Sequence, residues 1–172
     1  PKEDKEESHD PITYALNSAA GNIITALIFL ALRISRVENK EIKKGESRWS
    51  SELKNIYNKL LESPISEAYS LLGQYIYNFW YLDKNWVRIQ ISKIESEEDQ
   101  YWTNFISGYL WGNVYLDFYD VMKGHYKRAV EYQFREKTAE DRLIQHIAVL
   151  YLSDVDQLQN DSLIYLVIEK SK

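Results

Sequence analysis

A chain of 172 residues, 45% hydrophobic and 27% charged, carries enough apolar surface to bury a core, which excludes an intrinsically disordered segment. Its formal net charge of −5 and pI near 5.3 exclude the broadly basic footprint that binding to phosphate backbones demands. With no cysteine, disulfides, thiolate metal sites and thiol nucleophiles are excluded together, which fits a reducing cytoplasm.

The opening PKEDKEESHD is charged and nearly devoid of apolar side chains. Residues 1–9 read as a mobile charged linker, and a start at Pro1 with Met122 as the only methionine suggests a piece excised from a larger protein. Residues 10–172 read as a single all-helical domain. Apolar residues recur at spacings of three and four, proline is confined to Pro1, Pro11 and Pro64, and hairpin turns such as Asn-Gly are missing. Asp10 is suited to cap a helix with Pro11 at its first position, and the spacing predicts one helix over 11–37. Leu16, Ile23, Leu27, Leu30 and Ile34 lie on one side of it and Ile24, Ile28 and Leu32 on another, as expected of a central, buried helix. Its apolar run over 23–34 contains Thr25 and Arg33 and falls short of the roughly 20 apolar residues that cross a bilayer. No basic leader with a cleavage site opens the chain, so no membrane partner is expected and the cytoplasm is the default location.

A polar loop over 37–47, containing Gly45, leads to a second helix over 49–62. Ser63-Pro64 starts a third, on which Ile65, Tyr69, Leu72, Ile76 and Phe79 share a face, ending near Asp83. Shorter helices are predicted over 85–94 and 97–111. Beyond the break at Gly112-Asn113, helices follow over 114–134, 139–152 and 157–169, with Thr138 and Asp141 spaced as in a capping box. About eight helices with short connectors point to an all-α fold of stacked antiparallel αα-hairpins, HEAT-like or an irregular helical solenoid or bundle.

On the helix over 114–134, Tyr115, Tyr119, Met122, Tyr126 and Ala129 share one face, which helical periodicity assigns to the core. Fourteen tyrosines and five tryptophans nevertheless exceed what such a core needs. The rings placed at helix ends, Trp80, Tyr81, Trp86 and Trp111, are the candidates for binding a protein partner, because Trp and Tyr carry much of the energy of interfaces. No catalytic, metal-binding or cofactor-binding residue is assigned, and no cofactor is expected. His9, His125 and His146 lie far apart, and no Gly-rich phosphate loop is present. Arg142 and His146 in DRLIQH resemble the Arg and His pair of helical HEPN ribonucleases, with three intervening residues where that family has four to six. The basic cluster Lys123, His125, Lys127 and Arg128 is interleaved with acids and reads as a solvated helix face, so no nucleic acid is expected as partner.

Five stretches, DPITYALNSAAGNIITALI, LLGQYIYNFWYLDKNWV, YWTNFISGYLW, HYKRAV and RLIQHIAVLYL, succeed one another over most of the chain. In that order they resemble a helical domain of unknown function found C-terminal to sirtuin-like domains in bacterial phage-defence proteins. The residues carrying the pattern are Asn17, Gly21, Leu72, Gly73, Asp83, Trp86, Trp102, Gly108, Tyr126, Ala129, Leu143, His146 and Tyr151; Ala20 and Ser153-Asp154 depart from it. In structural terms Gly21, Gly73 and Gly108 would let helix backbones approach closely, and Asn17 and His146 would be buried polar groups in need of partners. The resemblance implies a non-catalytic sensor or protein-interaction module of a larger antiphage effector whose NAD-consuming domain lies outside this chain. Its partner would be a phage component or another domain of the parent protein. Two further readings are a self-assembly scaffold of the parent, with self-association, and a nucleic-acid-directed, RNase-like domain.

Overall fold

Asp10 begins the fold in the expected way: its side chain accepts the backbone N–H of Thr13 and Pro11 occupies the first helical position. The computed structural model describes residues 10–38, 46–63 and 65–170, so the expected linker over 1–9 and Gly45 of the expected loop lie outside the described residues. Among the described residues there are ten α-helices and no strand: α1 Pro11–Asn17, α2 Ala19–Val37, α3 Ser51–Glu62, α4 Ser66–Gln74, α5 Ile76–Leu82, α6 Lys84–Glu95, α7 Asp99–Trp111, α8 Tyr119–Glu131, α9 Lys137–Leu152 and α10 Leu163–Lys170. A 3-10 turn over Leu116–Phe118 precedes α8.

Ten helices replace the expected eight because two expected helices are divided. The helix over 11–37 breaks at Ser18, which adopts extended backbone and turns its hydroxyl to the amide of Gly21, 2.9 Å away, capping α2. The third breaks at Tyr75, between α4 and α5. Two others begin later than their periodicity suggests: α8 at Tyr119 and α10 at Leu163. Before α10 the chain turns at Asp154, whose φ of 60° is left-handed, and buried Asp156 then accepts the N–H of Ile164. Thr138 does not cap α9, which starts one residue earlier at Lys137 without a side-chain cap.

The centre of the fold is the contact of α4 with α7. A Cβ added to Gly73 would lie 2.1 Å from the carbonyl oxygen of Phe105, and one added to Gly108 would lie 1.9 Å from that of Ser70. Ser70 thus meets Gly108 while Gly73 meets Phe105, so the two helices run in opposite directions. The expected close approach at these glycines is what the structure shows, and Gly21 likewise sits against the Ala15 carbonyl where α1 meets α2. Helix α4 also packs on α1, α2, α3 and α5, and α7 on α1, α6 and α9. This is a bundle around one central pair rather than a solenoid, in which each unit would meet only its neighbours.

Asp10 ties the first helix to this pair, its carboxylate accepting from Ser107 Oγ at 2.8 Å and from Trp111 Nε1 at 2.9 Å. On one flank Trp49, Tyr57, Phe79 and Trp86 join α3, α5 and α6 through ring centroids 4.7–5.9 Å apart. Asp83 caps α6 through the Trp86 amide and pairs with Lys54 at 2.7 Å. Burial acts to raise the carboxyl pKa of Asp83, but the bonds from Lys54 and the Trp86 amide outweigh it and hold the group below its ordinary range.

Helix α2 is not the buried central helix that its apolar circumference suggests. Only Gly21, Ile24, Ile28, Ala31 and Leu32 are buried, while Ile23 is 72% and Leu30 48% exposed. At 19 residues it is also long and apolar enough to cross a bilayer by length and composition, which the shorter run over 23–34 did not suggest.

Replacing Gly108 by Ala forces α4 and α7 apart, since the new carbon meets backbone rather than a movable side chain. We expect a loss of about 3 kcal/mol or more in urea unfolding. Gly112→Ala, whose Cβ would stand 3.3 Å from the Tyr109 carbonyl oxygen, should cost less than about 1 kcal/mol.

Candidate functional site

The structure distributes the four ring candidates unevenly. Trp86 is 4% exposed and donates its Nε1–H to Asn58 Oδ1 at 2.8 Å, so the exposure expected for it is corrected: it is part of the core. Trp80 is half-buried against Phe118, with Lys84 and Arg88 near its ring. Tyr81 is exposed beneath the Arg48 guanidinium. Trp111 is partly exposed, but it is bonded to Asp10 and has the Arg142 guanidinium 4.2 Å above its ring. The surplus of rings is largely absorbed inside: Tyr57, Trp102, Tyr109, Tyr126, Phe79, Phe105 and Phe118 are all fully buried.

The histidines are enclosed as well. His125 is fully buried, accepting from Trp102 Nε1 at 3.1 Å on Nδ1 and facing the Ile91 carbonyl at 3.0 Å with Nε2. That pair of neighbours requires a neutral ring with its proton on Nε2. His146, also buried, has Tyr126 Oη 3.0 Å from Nδ1 and the Gly112 carbonyl 3.3 Å from Nε2, and the hydroxyls of Tyr126 and Tyr109 lie 3.1 Å apart. Burial raises the pKa of both phenols, that of Tyr109 to about 12. His146 therefore has the partners expected of a buried polar group, whereas Asn17 is exposed and only donates to the Thr13 carbonyl of its own helix. With Arg142 stacked on Trp111 and both His146 nitrogens occupied, the pair in DRLIQH does not present itself to a substrate.

Nor is the basic cluster a solvated face. Arg128 donates to the Glu95 and Glu97 carbonyls and to Asp99, closing the end of α6, and covers the Trp102 ring at 4.3 Å. Lys123 lies over the Tyr119 ring, and Lys127 is 4.0 Å from Asp161. Among the described residues no group of three or more potential ligands converges on a metal position.

Two features remain open to solvent. The first is the outer face of α2, where Ala19, Ile23, Ala26, Leu30, Arg33 and Val37 are all exposed at successive intervals of four, three, four, three and four. Phe29 widens this stripe, and Arg33 and Arg36 are the only charges on the helix. The second is a half-open cavity of about 400 Å³ between α3, α4, α6 and α7, lined by Asn58, Glu62, Tyr69, Gln90, Glu97 and Tyr101 among others. Sequence reasoning finds neither. The stripe is hidden in a helix apolar all round, and the cavity residues lie on separate helices with no spacing to connect them.

Burial, opposed by the Ile91 carbonyl and reinforced by the charge of Arg128, lowers the His125 pKa to about 4; burial lowers that of His146 too. Between about 4, the His125 value, and about 6.5 the unfolded chain binds more protons than the folded one, so stability is full above pH 6.5 and falls as the pH drops toward 4. We expect urea unfolding to show a loss of roughly 2–3 kcal/mol over that window. His125→Gln should lower stability at pH 7 and flatten the dependence. Comparison of the chain with protein-family models, curated proteins and solved structures gives no match, so its function is read from its own surface.

Proposed function

We propose that this chain is a non-catalytic protein-interaction module whose docking face is the outer side of α2, and that it receives an amphipathic helix of a partner protein. The alternation of four and three along exposed Ala19, Ile23, Ala26, Leu30, Arg33 and Val37 carries this reading. It is the period of a seam between two helices packed at a shallow angle. Alanines at two of the six positions lower the surface so that a second backbone can come close. Each large side chain newly buried there is worth about 1–2 kcal/mol before the cost of association. Because α2 bears Arg33 and Arg36 and no acid, the complementary helix carries acidic residues beside its apolar stripe.

The biological setting rests on the ordered resemblance of the sequence motifs: a sensor or regulatory part of a larger antiphage effector, working in the cytoplasm, with a phage component or another domain of the parent as the source of that helix. A self-assembly scaffold is a second reading with an observation in its favour. In an antiparallel pairing of two α2 helices, Leu30 falls opposite Ala26 and Val37 opposite Ala19, large against small.

The lack of native cysteine allows a single cross-linker at Ala26→Cys. Exposed to lysates of phage-infected and uninfected cells, it should capture one protein through an acidic amphipathic helix, identified by peptide mass spectrometry. Ile23→Glu with Leu30→Glu should abolish capture without changing stability by more than about 0.5 kcal/mol, while Trp80→Ala should leave capture intact. A concentration-dependent dimer of the pure chain, lost in the same double variant, would favour the scaffold. Flotation of the chain with lipid vesicles through α2, or capture indifferent to the double variant, would overturn the docking face.

A further inference from the structure

We infer that the cavity between α3, α4, α6 and α7 is a binding site for an arginine side chain presented by a peptide. It lies on elements other than α2 and stands independently of the docking face proposed above. Its floor holds Gln90, which is 9% exposed and forms no hydrogen bond. Its amide opens onto the cavity, where two donors and an acceptor stand ready for a ligand. Beside it Asn58 spends its carbonyl oxygen on Trp86 Nε1, which leaves its NH2 group as a free donor in the cavity wall. Tyr69 donates its hydroxyl proton to the Leu61 carbonyl at 2.7 Å, so that oxygen meets an incoming group as an acceptor.

The charge and shape of the lining select the ligand. Glu62 and Glu97 stand against one cation, Lys93, which disfavours an anion, and the C-terminal end of α3 adds the negative pole of its peptide dipoles. The rings of Tyr69 and Tyr101, with centroids 5.0 Å apart and planes inclined by 32°, provide flat faces for a flat cation. Burial and the nearby Glu97 carboxylate push the Tyr69 phenol up to about 12, in keeping with a site that resists further negative charge. An apolar ligand would leave Gln90 unpaired. A guanidinium is planar, stacks on aromatic faces and has five N–H donors in one plane, enough to serve Gln90 Oε1, Tyr69 Oη and a glutamate together; an ammonium has three on one point. At about 400 Å³ the cavity is larger than one side chain needs. It has room for part of the main chain, whose carbonyl suits the free donors of Asn58 and Gln90.

The test is an NMR titration of the whole isotope-labelled chain with Nα-acetyl-arginine amide, with the neutral citrulline isostere and the lysine analogue in parallel. Saturable shifts of the Gln90 and Asn58 side-chain amides are expected with arginine, and at least about tenfold weaker binding with citrulline or lysine. Gln90→Leu should abolish binding while keeping the fold, since the Gln90 amide bonds to no described residue. Glu97→Gln, at the rim, should weaken binding about threefold or more even if Gln90→Leu fails to fold. Absence of saturable shifts at these amides, equal binding of citrulline, or an affinity unchanged in Glu97→Gln would overturn the assignment. Cross-linking at Ala26→Cys reports on α2 alone, so the two sites succeed or fail separately.

Discussion

Gly73 and Gly108 let α4 and α7 come together until a single added carbon would lie about 2 Å from a carbonyl oxygen of the opposite helix. Side chains of ordinary size would hold the axes 8–10 Å apart, and every element that bridges this pair would then lose its register. Helix α1 lies across both, α2, α3 and α5 lean on α4, and α6 and α9 lean on α7. The short central distance is what allows Asp10, at the start of α1, to reach Ser107 and Trp111 near the end of α7. A contact made by two hydrogen atoms therefore sets the geometry of helices far from it in sequence.

Around this centre most buried polar groups are held by one another. Trp102, His125 and the Ile91 carbonyl form one such chain, and Tyr109, Tyr126, His146 and the Gly112 carbonyl form another. In the first a neutral imidazole accepts on Nδ1 and faces a carbonyl with Nε2, a role that depends on the ring staying uncharged; in the second both nitrogens of His146 likewise have neighbours. Histidine serves here to join α7 to α8 and α9 to the residue that ends α7. Trp49 Nε1 and Gln74 Oε1 are different, being buried without a hydrogen-bond partner.

The helical class and the Asp10 cap were legible because each depends on neighbours within one or two turns, whereas the close approach at Gly73 and Gly108, whose partners lie on the opposite helix, was suggested only by the ordered resemblance of the motifs. The division at Ser18 was not legible. Apolar spacing runs through it unbroken, and the extended conformation is supported by a distant partner, Glu67, whose carboxylate accepts the Ser18 hydroxyl at 3.2 Å. The face of α2 was illegible for a related reason: Ile23 and Ile24 are alike in composition, and only the placement of α4 decides that Ile24 is covered and Ile23 is not. Trp86 was misplaced because a ring just past a helix end looks exposed until Trp49, just before α3, and Tyr57 of α3 pack against it.

The bonds from Asp10 to Ser107 and Trp111 bear on the order in which the chain can fold. Their partners are 97 and 101 residues away, so during synthesis at about 5–20 residues per second α1 and α2 wait on the order of 5–20 s for α7 to appear. Through that interval the long apolar helix α2 has no finished bundle beside it, and α4 reaches it only partway through. The amino-terminal third is thus committed late, after loop closure over most of the chain, and nascent chains halted before α7 leave an apolar segment for chaperones to hold.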